Sequence, residues 1–552
     1  GPFYFRDVTA QTGIDFTYRN GEESEHYAIL ESLGGGVAMF DYDRDGKLDL
    51  FVPGGGFYDG ANKRDIKGYP GRMYRNLGDW KFEDVTKSVG LDAALMYSHG
   101  ATATDYDNDG FPDLLVTGYG RMVLFHNVNG QKFVEVTKDA GLIMDRHFWS
   151  TSAAFADFDG DGFADLYVCQ YVNWSWENNP SCPGYSIRFK NDVCPPKQFG
   201  SVPHALFRNN GNGTFTEVTR ESGIRFDTPE KDYGKGLGVL AVDVNADRKP
   251  DIYVCNDTTD NFLYLNRSTP GKIRFDDVGF NLGVARDGGG IPNGSMGIDA
   301  GDYDRSGRPS IWVTNYENEF HALYRNETKI PDKLAFTYAT TAAGIGAIGP
   351  KFVGFGTGFV DLDRDGWEDL IVANGHVVHF PPNDNLRQTP VLMLNSDENG
   401  RRKFKFANAA AGPFQKPIRG RGLAIGDLDN DGAADLVFAC NNEPLVMLRN
   451  ECKEVIPDRH WVGVELVGVK QRDIVGTRLT LSIGDQKLTQ FVKGGGSYLS
   501  TCDRRLLFGA NTSTQVGTLT VEWASGEPPT EVFEGLKIDQ YAKIEQGKGR
   551  KL

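Results

Sequence analysis

Apolar and polar positions alternate along this chain in short runs separated by turn residues, and the runs come in groups of four. In the first group they cover residues 36–40, 48–52, 71–75 and 81–86. A period of two with many β-branched and aromatic residues predicts strands. The groups repeat. A nine-residue pattern, D-x-D-x-D-G-x-x-D, begins at Asp41, Asp105, Asp157, Asp243, Asp302, Asp361 and Asp427. A second element, Phe followed by a short polar run, falls at 5–9, 82–86, 133–137, 215–219, 275–279, 336–340 and 404–408. A third, an aromatic or Leu pair ending in Arg-Asn, stands at 73–76, 206–209, 323–326 and 448–450.

Repeated units of four short strands predict an all-β fold, a seven-bladed β-propeller. The chain opens on a lone strand at 3–9, and the last unit, 421–450, lacks its fourth strand. Residues 3–9 are therefore expected to complete the seventh unit, which removes two free sheet edges. The expected repeat domain runs over 1–452.

The Asp pattern carries the clearest chemistry. Carboxylates at positions 1, 3 and 5 surround one tight loop, position 7 offers a backbone carbonyl, position 9 adds a carboxylate, and the Gly permits the turn. This is the hard-oxygen arrangement of calcium loops. No helix signal flanks the loops, so they are not EF-hands. Their lack of nitrogen and sulfur ligands disfavours zinc and copper. The expected ligands are Asp41, Asp43, Asp45 and Asp49; Asp105, Asp107, Asp109 and Asp113; Asp157, Asp159, Asp161 and Asp165; Asp243, Asn245, Asp247 and Asp251; Asp302 and Asp304; Asp361, Asp363, Asp365 and Asp369; and Asp427, Asp429, Asp431 and Asp435. In the fifth unit Ser306 and Ser310 replace two carboxylates, so about six calcium ions are expected, with that site weak or empty.

Composition narrows the classes. The net charge is −16, and much of it lies in the Asp clusters. An acidic chain of this kind argues against a nucleic-acid interface. The 68 glycines have no three-residue period, which excludes collagen. No apolar run is long enough to span a membrane. No signal peptide is read, and the abrupt opening Gly1-Pro2-Phe3-Tyr4 is compatible with a trimmed chain, so the missing segment says little about the compartment. Of the seven cysteines, Cys182/Cys194 and Cys440/Cys452 are spaced for local disulfides, with buried thiols as the alternative.

From His460 the repeat gives way to strands at 461–466, 478–483, 487–492, 506–508, 516–523 and 541–545, a β-sandwich-like domain expected over 458–545. Its Gly494-Gly495-Gly496-Ser497 run reads as a turn or a ligand loop.

Loops at the two ends of the strands can be sorted. The Asp loops join first to second strands. The long segments 53–70, 170–203, 279–295 and 374–388 fall at the opposite ends, the expected functional face. Lys235 and Arg421 near the channel mouth on that face, with His376 and His379 beside the other loops, are the candidate ligand-binding residues, and Glu31 with His99 the acid–base candidates.

The seven units resemble FG-GAP repeats of the VCBS type. Residues 458–545 resemble the ASPIC/UnbV domain through 461–466, 476–480, 494–499, Phe508-Gly509 and Val521-Glu522-Trp523. The combination is similar to the bacterial relatives of cartilage acidic protein. The resemblance implies calcium binding, a secreted, periplasmic or cell-surface place, and adhesion or matrix contact. It implies no reaction. Relatives also carry the Cys182/Cys194 insertion.

The function expected is a secreted calcium-binding recognition or adhesion protein with a polar-ligand site on the long-loop face. Its partners would be a polar small molecule, a carbohydrate or an extracellular protein, without nucleic acid or a membrane span. The alternative is an enzyme acting on a carbohydrate or small polar metabolite at the channel mouth.

Overall fold

The computed structural model describes residues 5–185, 187–227, 232–383, 385–408 and 412–552. The repeat predicts its elements well. In the first unit, Ala38–Phe40, Asp49–Val52, Arg72–Gly78 and Lys81–Asp84 pair in that order as one antiparallel sheet. The later units do the same from their first strands, Ser98–Thr104, Ser150–Ala156, Gly236–Val242, Ile298–Gly301, Gly354–Val360 and Gly420–Gly426. In the last sheet the fourth strand is Phe5–Asp7, with Phe5 opposite Asn450 and Asp7 opposite Leu448. Residues 3 and 4 of the expected strand lie outside the described residues.

The seven-bladed propeller is corrected. The chain is almost entirely β, in many small antiparallel sheets, and none is closed or curled into a propeller. The ladder of each repeat ends at its fourth strand. Single backbone hydrogen bonds, such as Phe133 N to Val89 O and Phe215 N to Ala140 O, and side chains join neighbouring units. An Asn at or near the end of each third strand donates to a carbonyl of its own loop and to one in the preceding unit. Asn209 reaches Ala164 O and Tyr106 O, Asn266 reaches Pro250 O and Phe158 O, and Asn76 reaches Leu48 O and Leu428 O of the last unit. These asparagines are buried, and each such amide left unpaired would cost about 1–3 kcal/mol. The strand motif Arg-Asn is therefore an inter-sheet staple.

The C-terminal strands pack against the repeats. The C-terminal part forms two sheets, one of three strands around His460–Val467 and one of five that begins Gln486–Phe491, Arg478–Ile483, Leu519–Glu522. Between them, residues 494–501 run along the first strands of all seven repeats. Gly494 and Gly495 pair with Ala241 and Leu240, making a fifth strand in the fourth sheet. Ser497 exchanges backbone hydrogen bonds with Ile298, accepts from Thr357 N through Oγ, and donates Oγ–H to Leu423 O. Leu499 N donates to Ser152 Oγ, and Ala101 N donates to Leu499 O. Thr501 O accepts from Met39 N.

The glycines of the first strands make room for this segment. A methyl group on Gly36 would lie 2.0 Å from Leu499 O, and one on Gly422 2.5 Å from Ser500 Oγ. The two parts also share a core, in which Val462, Leu479, Leu481 and Trp523 pack with Ala154, Tyr167 and Val239. Burial of large apolar side chains is worth about 1.5–3 kcal/mol each, so the shared core binds the C-terminal part firmly.

Candidate functional site

The Asp loops sit at one end of the strands. The first Asp of each folds the loop around its own carboxylate. Asp41 Oδ1 accepts from Asp45 N (3.1 Å) and Oδ2 from Gly46 N (2.9 Å), and Asp105, Asp361 and Asp427 repeat the arrangement. The ninth residue pins the loop to the third strand. Asp49 accepts from Tyr42 N (3.2 Å) and Asn76 N (2.8 Å), and Asp435 from Leu428 N (2.9 Å) and Asn450 N (2.8 Å). In the fifth unit Ser310 Oγ replaces that carboxylate and accepts from Asn326 N, while the Ser306 hydroxyl donates to Asp302.

Six groups of at least three Asp, Glu, His or Cys side chains, Asp107/Asp113/His126 among them, bring potential ligand atoms within 4.8 Å of one another among the described residues. They include Asp41/Asp43/Asp45, Asp105/Asp107/Asp109, Asp157/Asp159/Asp165 and Asp361/Asp363/Asp365. These clusters are geometrically suited to coordinate calcium or another metal ion. The chemistry of the donors fits a hard dication. Burial, with neighbouring carboxylates adding to it, pushes Asp49 up to about 8 and Asp105 up to about 7. Asp429 Oδ1 and Asn245 Oδ1 are buried with no hydrogen-bond partner. Crowded, desolvated carboxylates are the setting that a bound cation relieves.

His126 is a site residue that sequence reasoning missed. Its Nδ1 lies 3.1 Å from Asp113 Oδ1 and 3.3 Å from Asp107 Oδ2. Other units place Arg there, as with Arg75 Nε on Asp43 (2.7 Å) and Arg449 Nε on Asp429 (2.9 Å). The signal was present in the third-strand motif, which reads Phe125-His126-Asn127 in that unit.

The C-terminal part covers several Asp loops. Tyr541 Oη donates to Asp427 Oδ2 (2.8 Å), Arg459 Nη1 to Asp363 O (2.7 Å), and Asp157 N to Asp473 Oδ2 (3.0 Å).

The other ends of the strands are built differently. Cys182 and Cys194 form a disulfide in the 170–203 segment. Asp192 of that segment accepts from His379 N and Phe380 N, both at 2.9 Å, tying it to the 374–388 segment. Lys235 Nζ donates to Pro196 O at 2.8 Å. Below these ties lies a cavity of about 310 Å³. Leu237, Met296 and Phe355 form its buried floor, Tyr171, Tyr185 and Tyr316 stand in its walls, and Asp257, Glu319 and Lys197 bring charge to it. Tyr171 Oη donates to Asp257 Oδ2 (2.6 Å), and Gly294 N to Glu319 Oε2 (2.8 Å). Sequence reasoning missed Asp257 and Glu319, which follow second strands and belong to no motif.

The structure separates the acid–base candidates. His99 Nε2 accepts from Trp149 Nε1 at 2.8 Å, and burial pushes the imidazole down to about 3. Glu31 instead meets His379, with Oε2 3.3 Å from Nε2, and burial holds its carboxyl well above the usual range. No hydrogen bond or ion pair joins Glu31 to His99 among the described residues. Arg421 is buried and donates to Ser32 O, Gly375 O, Gly420 O and His376 O, with its guanidinium 4.3 Å from the centre of the Phe355 ring. His376 Nε2 lies 3.2 Å from Glu317 Oε1. These side chains hold the loops behind the cavity. Cys440 and Cys452, expected to pair, are separate buried thiols: Cys440 packs with Phe438 and Leu436, Cys452 with Ala433. No helix among the described residues is long and apolar enough to cross a membrane.

The family model described as an FG-GAP-like repeat matches residues 105–168 and 361–438, and the one described as ASPIC and UnbV matches 468–551. The chain is 24% identical over 394 residues to cartilage acidic protein 1 of Homo sapiens, covering 63% of this chain and 57% of that protein. It is 29% identical over 394 residues to the Mus musculus protein, covering 63% and 58%. The chain thus spans less than two thirds of the length of these curated relatives. The resemblance to these repeats, to this domain and to cartilage acidic protein stands, without the propeller. A solved Agrocybe aegerita lectin, described as recognising non-reducing terminal N-acetylglucosamine, aligns over 74% of this chain and 87% of its own at 16% identity. Its TM-score is 0.39, too low to carry an argument about ligand. The acidic clusters are compatible with calcium or another metal ion, and the homology to cartilage acidic protein is distant.

Proposed function

We propose that this chain is an extracellular, calcium-loaded recognition protein whose ligand seat is the cavity under the disulfide-bearing loop. It comprises a repeat part over 1–452 and a C-terminal part over 458–545, whose central segment ties the repeats together. The Asp and Asn side chains of the loops are its metal ligands, for about six ions, with the fifth-unit site weak or empty. One observation carries the reading. Segments 170–203, 279–295 and 374–388, in which the units stop resembling one another, all contribute to one cavity. Varied loops on a repeated scaffold are the usual source of a single ligand site. Lys235, Arg421, His376 and His379 serve this site by fixing the loops that form it. The Cys182–Cys194 disulfide supports an oxidising, secreted, periplasmic or cell-surface setting.

The enzyme reading has less behind it, because Glu31 and His99 are occupied with different partners.

The test is a screen of the calcium-loaded protein against glycans, polar metabolites and extracellular matrix proteins, with Leu237→Trp as the variant that fills the cavity. A ligand bound by the parent chain and lost in a folded Leu237→Trp protein supports the seat. A ligand retained by that variant, or bound on the Asp-loop face, overturns it.

A further inference from the structure

The charges at the cavity differ from those the sequence suggested. The cationic candidates are tied to backbone carbonyls. Arg421 donates to four backbone carbonyls, and Lys235 Nζ to Pro196 O. The carboxylates, in contrast, converge. Asp257 and Gly294 form an antiparallel bridge, and Gly294 N donates to Glu319 Oε2. A methyl group built on Gly294 would lie 3.2 Å from Asp257 Oδ1 and 3.7 Å from Glu319 Oε2, so both carboxylates border one small volume beside that backbone. Asp257 accepts from Tyr171 and Glu319 from the backbone of Gly294 and Tyr316, and each carboxylate has acceptor capacity beyond these bonds.

Lys235 offsets part of the Asp257 charge, and exposed Lys197 stands at the rim. Even so, burial leads the causes that push Asp257 up to about 6 and Glu319 up to about 7. The lysines therefore do not fully compensate the two acids. The rest of the cavity is apolar and aromatic, with Tyr171, Tyr316 and Phe355 beside the acids. Aromatic faces attract cations, and a desolvated carboxylate binds an ammonium group far better than a neutral or anionic head.

We infer that the cavity takes a small amphipathic amine, with its apolar or aromatic body on the Leu237–Met296–Phe355 floor and its ammonium group between Asp257 and Glu319. This deepens the proposed recognition function and rests on the same seat.

Three probes with one ring and one chain length separate the head groups: tyramine (cationic), tyrosol (neutral) and 4-hydroxyphenylacetate (anionic). Each is titrated calorimetrically into the calcium-loaded full chain. Tyramine should bind at least about ten-fold more tightly than tyrosol, and 4-hydroxyphenylacetate most weakly. Asp257→Asn and Glu319→Gln preserve the acceptors for Tyr171 and Gly294 N. Each should bring tyramine down toward tyrosol while leaving tyrosol unchanged, and Leu237→Trp should abolish all binding. Tyrosol or 4-hydroxyphenylacetate binding as tightly as tyramine, and lost in Leu237→Trp, would overturn the amine while leaving the seat. Tyramine binding that survives Leu237→Trp would overturn both. If none of the three binds, the amine inference fails, and the seat is then judged by the glycan, metabolite and matrix screen.

Discussion

The two ends of the same strands are built on opposite plans. At the Asp-loop ends, the units are near-copies: a first Asp folds each loop, a ninth residue pins it, and an Asn staples it to the preceding unit. The C-terminal part then covers several of these loops. At the other ends the segments differ in length, one carries a disulfide, and their polar side chains hold each other around a cavity. Repetition serves cohesion, because any device that joins one pair of sheets works for every pair. A ligand site needs the reverse, an asymmetric arrangement that occurs once. The comparison teaches that cohesion lies at the repeated ends, and that the proposed ligand seat lies where the units differ.

Removing the metal tests the repeated end first and should have the largest effect. A ligand that binds only the folded state stabilises by about 2.7 kcal/mol per site at a hundredfold excess over Kd. Over several loops, excess chelator should lower the melting temperature by roughly 10 °C or more. An unchanged melting curve, with metal shown to be absent, would remove the loops from the stability argument.

The central segment should come next. Gly36→Val forces a side chain against Leu499 O, where even a methyl group is 2.0 Å away. A loss of about 3 kcal/mol or more is expected, as for other overpacked core positions, read by denaturant unfolding. Wild-type stability in that variant would mean that the segment does not hold the repeats together.

The disulfide should separate the two ends. Cys182→Ser with Cys194→Ser releases one loop of the cavity, whose closure is worth about 3 kcal/mol in the chain-entropy account. The effect should be concentrated on ligand binding, with the chelator-sensitive transition retained. Alkylation of the unreduced, unfolded parent chain should modify five of the seven cysteines. Seven modified thiols would contradict the bond.

The smallest effect concerns acid. Burial alone would raise the Glu22 carboxyl, but Arg419 at 2.8 and 3.1 Å, with Asn20 and Asn442, brings it down to about 2. The folded value is below the unfolded one of about 4.3, so this contribution is complete above that pH and is lost as pH falls toward 2. Glu22→Gln should flatten the stability profile between about pH 5 and 3. An unchanged slope would show that the pair is screened.

What was legible in the sequence was local. The Asp spacing, the strand alternation and Cys182 with Cys194 all involve residues within one unit, and their contacts close over a few positions, as Gly46 N does on Asp41. The C-terminal strand expected at 478–483 is observed as Arg478–Ile483. The tertiary structure alone decided what the long-range contacts would be. Nothing near Gly494–Ser497 announces a segment whose partners include Leu240, Ile298 and Leu423, so its glycines read as a turn. Nothing near Arg421 shows that its donors face Ser32 and His376. Nothing around Asp257 and Glu319 brings them together at Gly294. Cys440 and Cys452 are as close in sequence as the pair that does bond, yet they pack into different cores. Spacing determines what a loop can do by itself. The partner of a buried charge, thiol or glycine is chosen by the packing of sheets whose order along the chain does not encode their side-chain contacts.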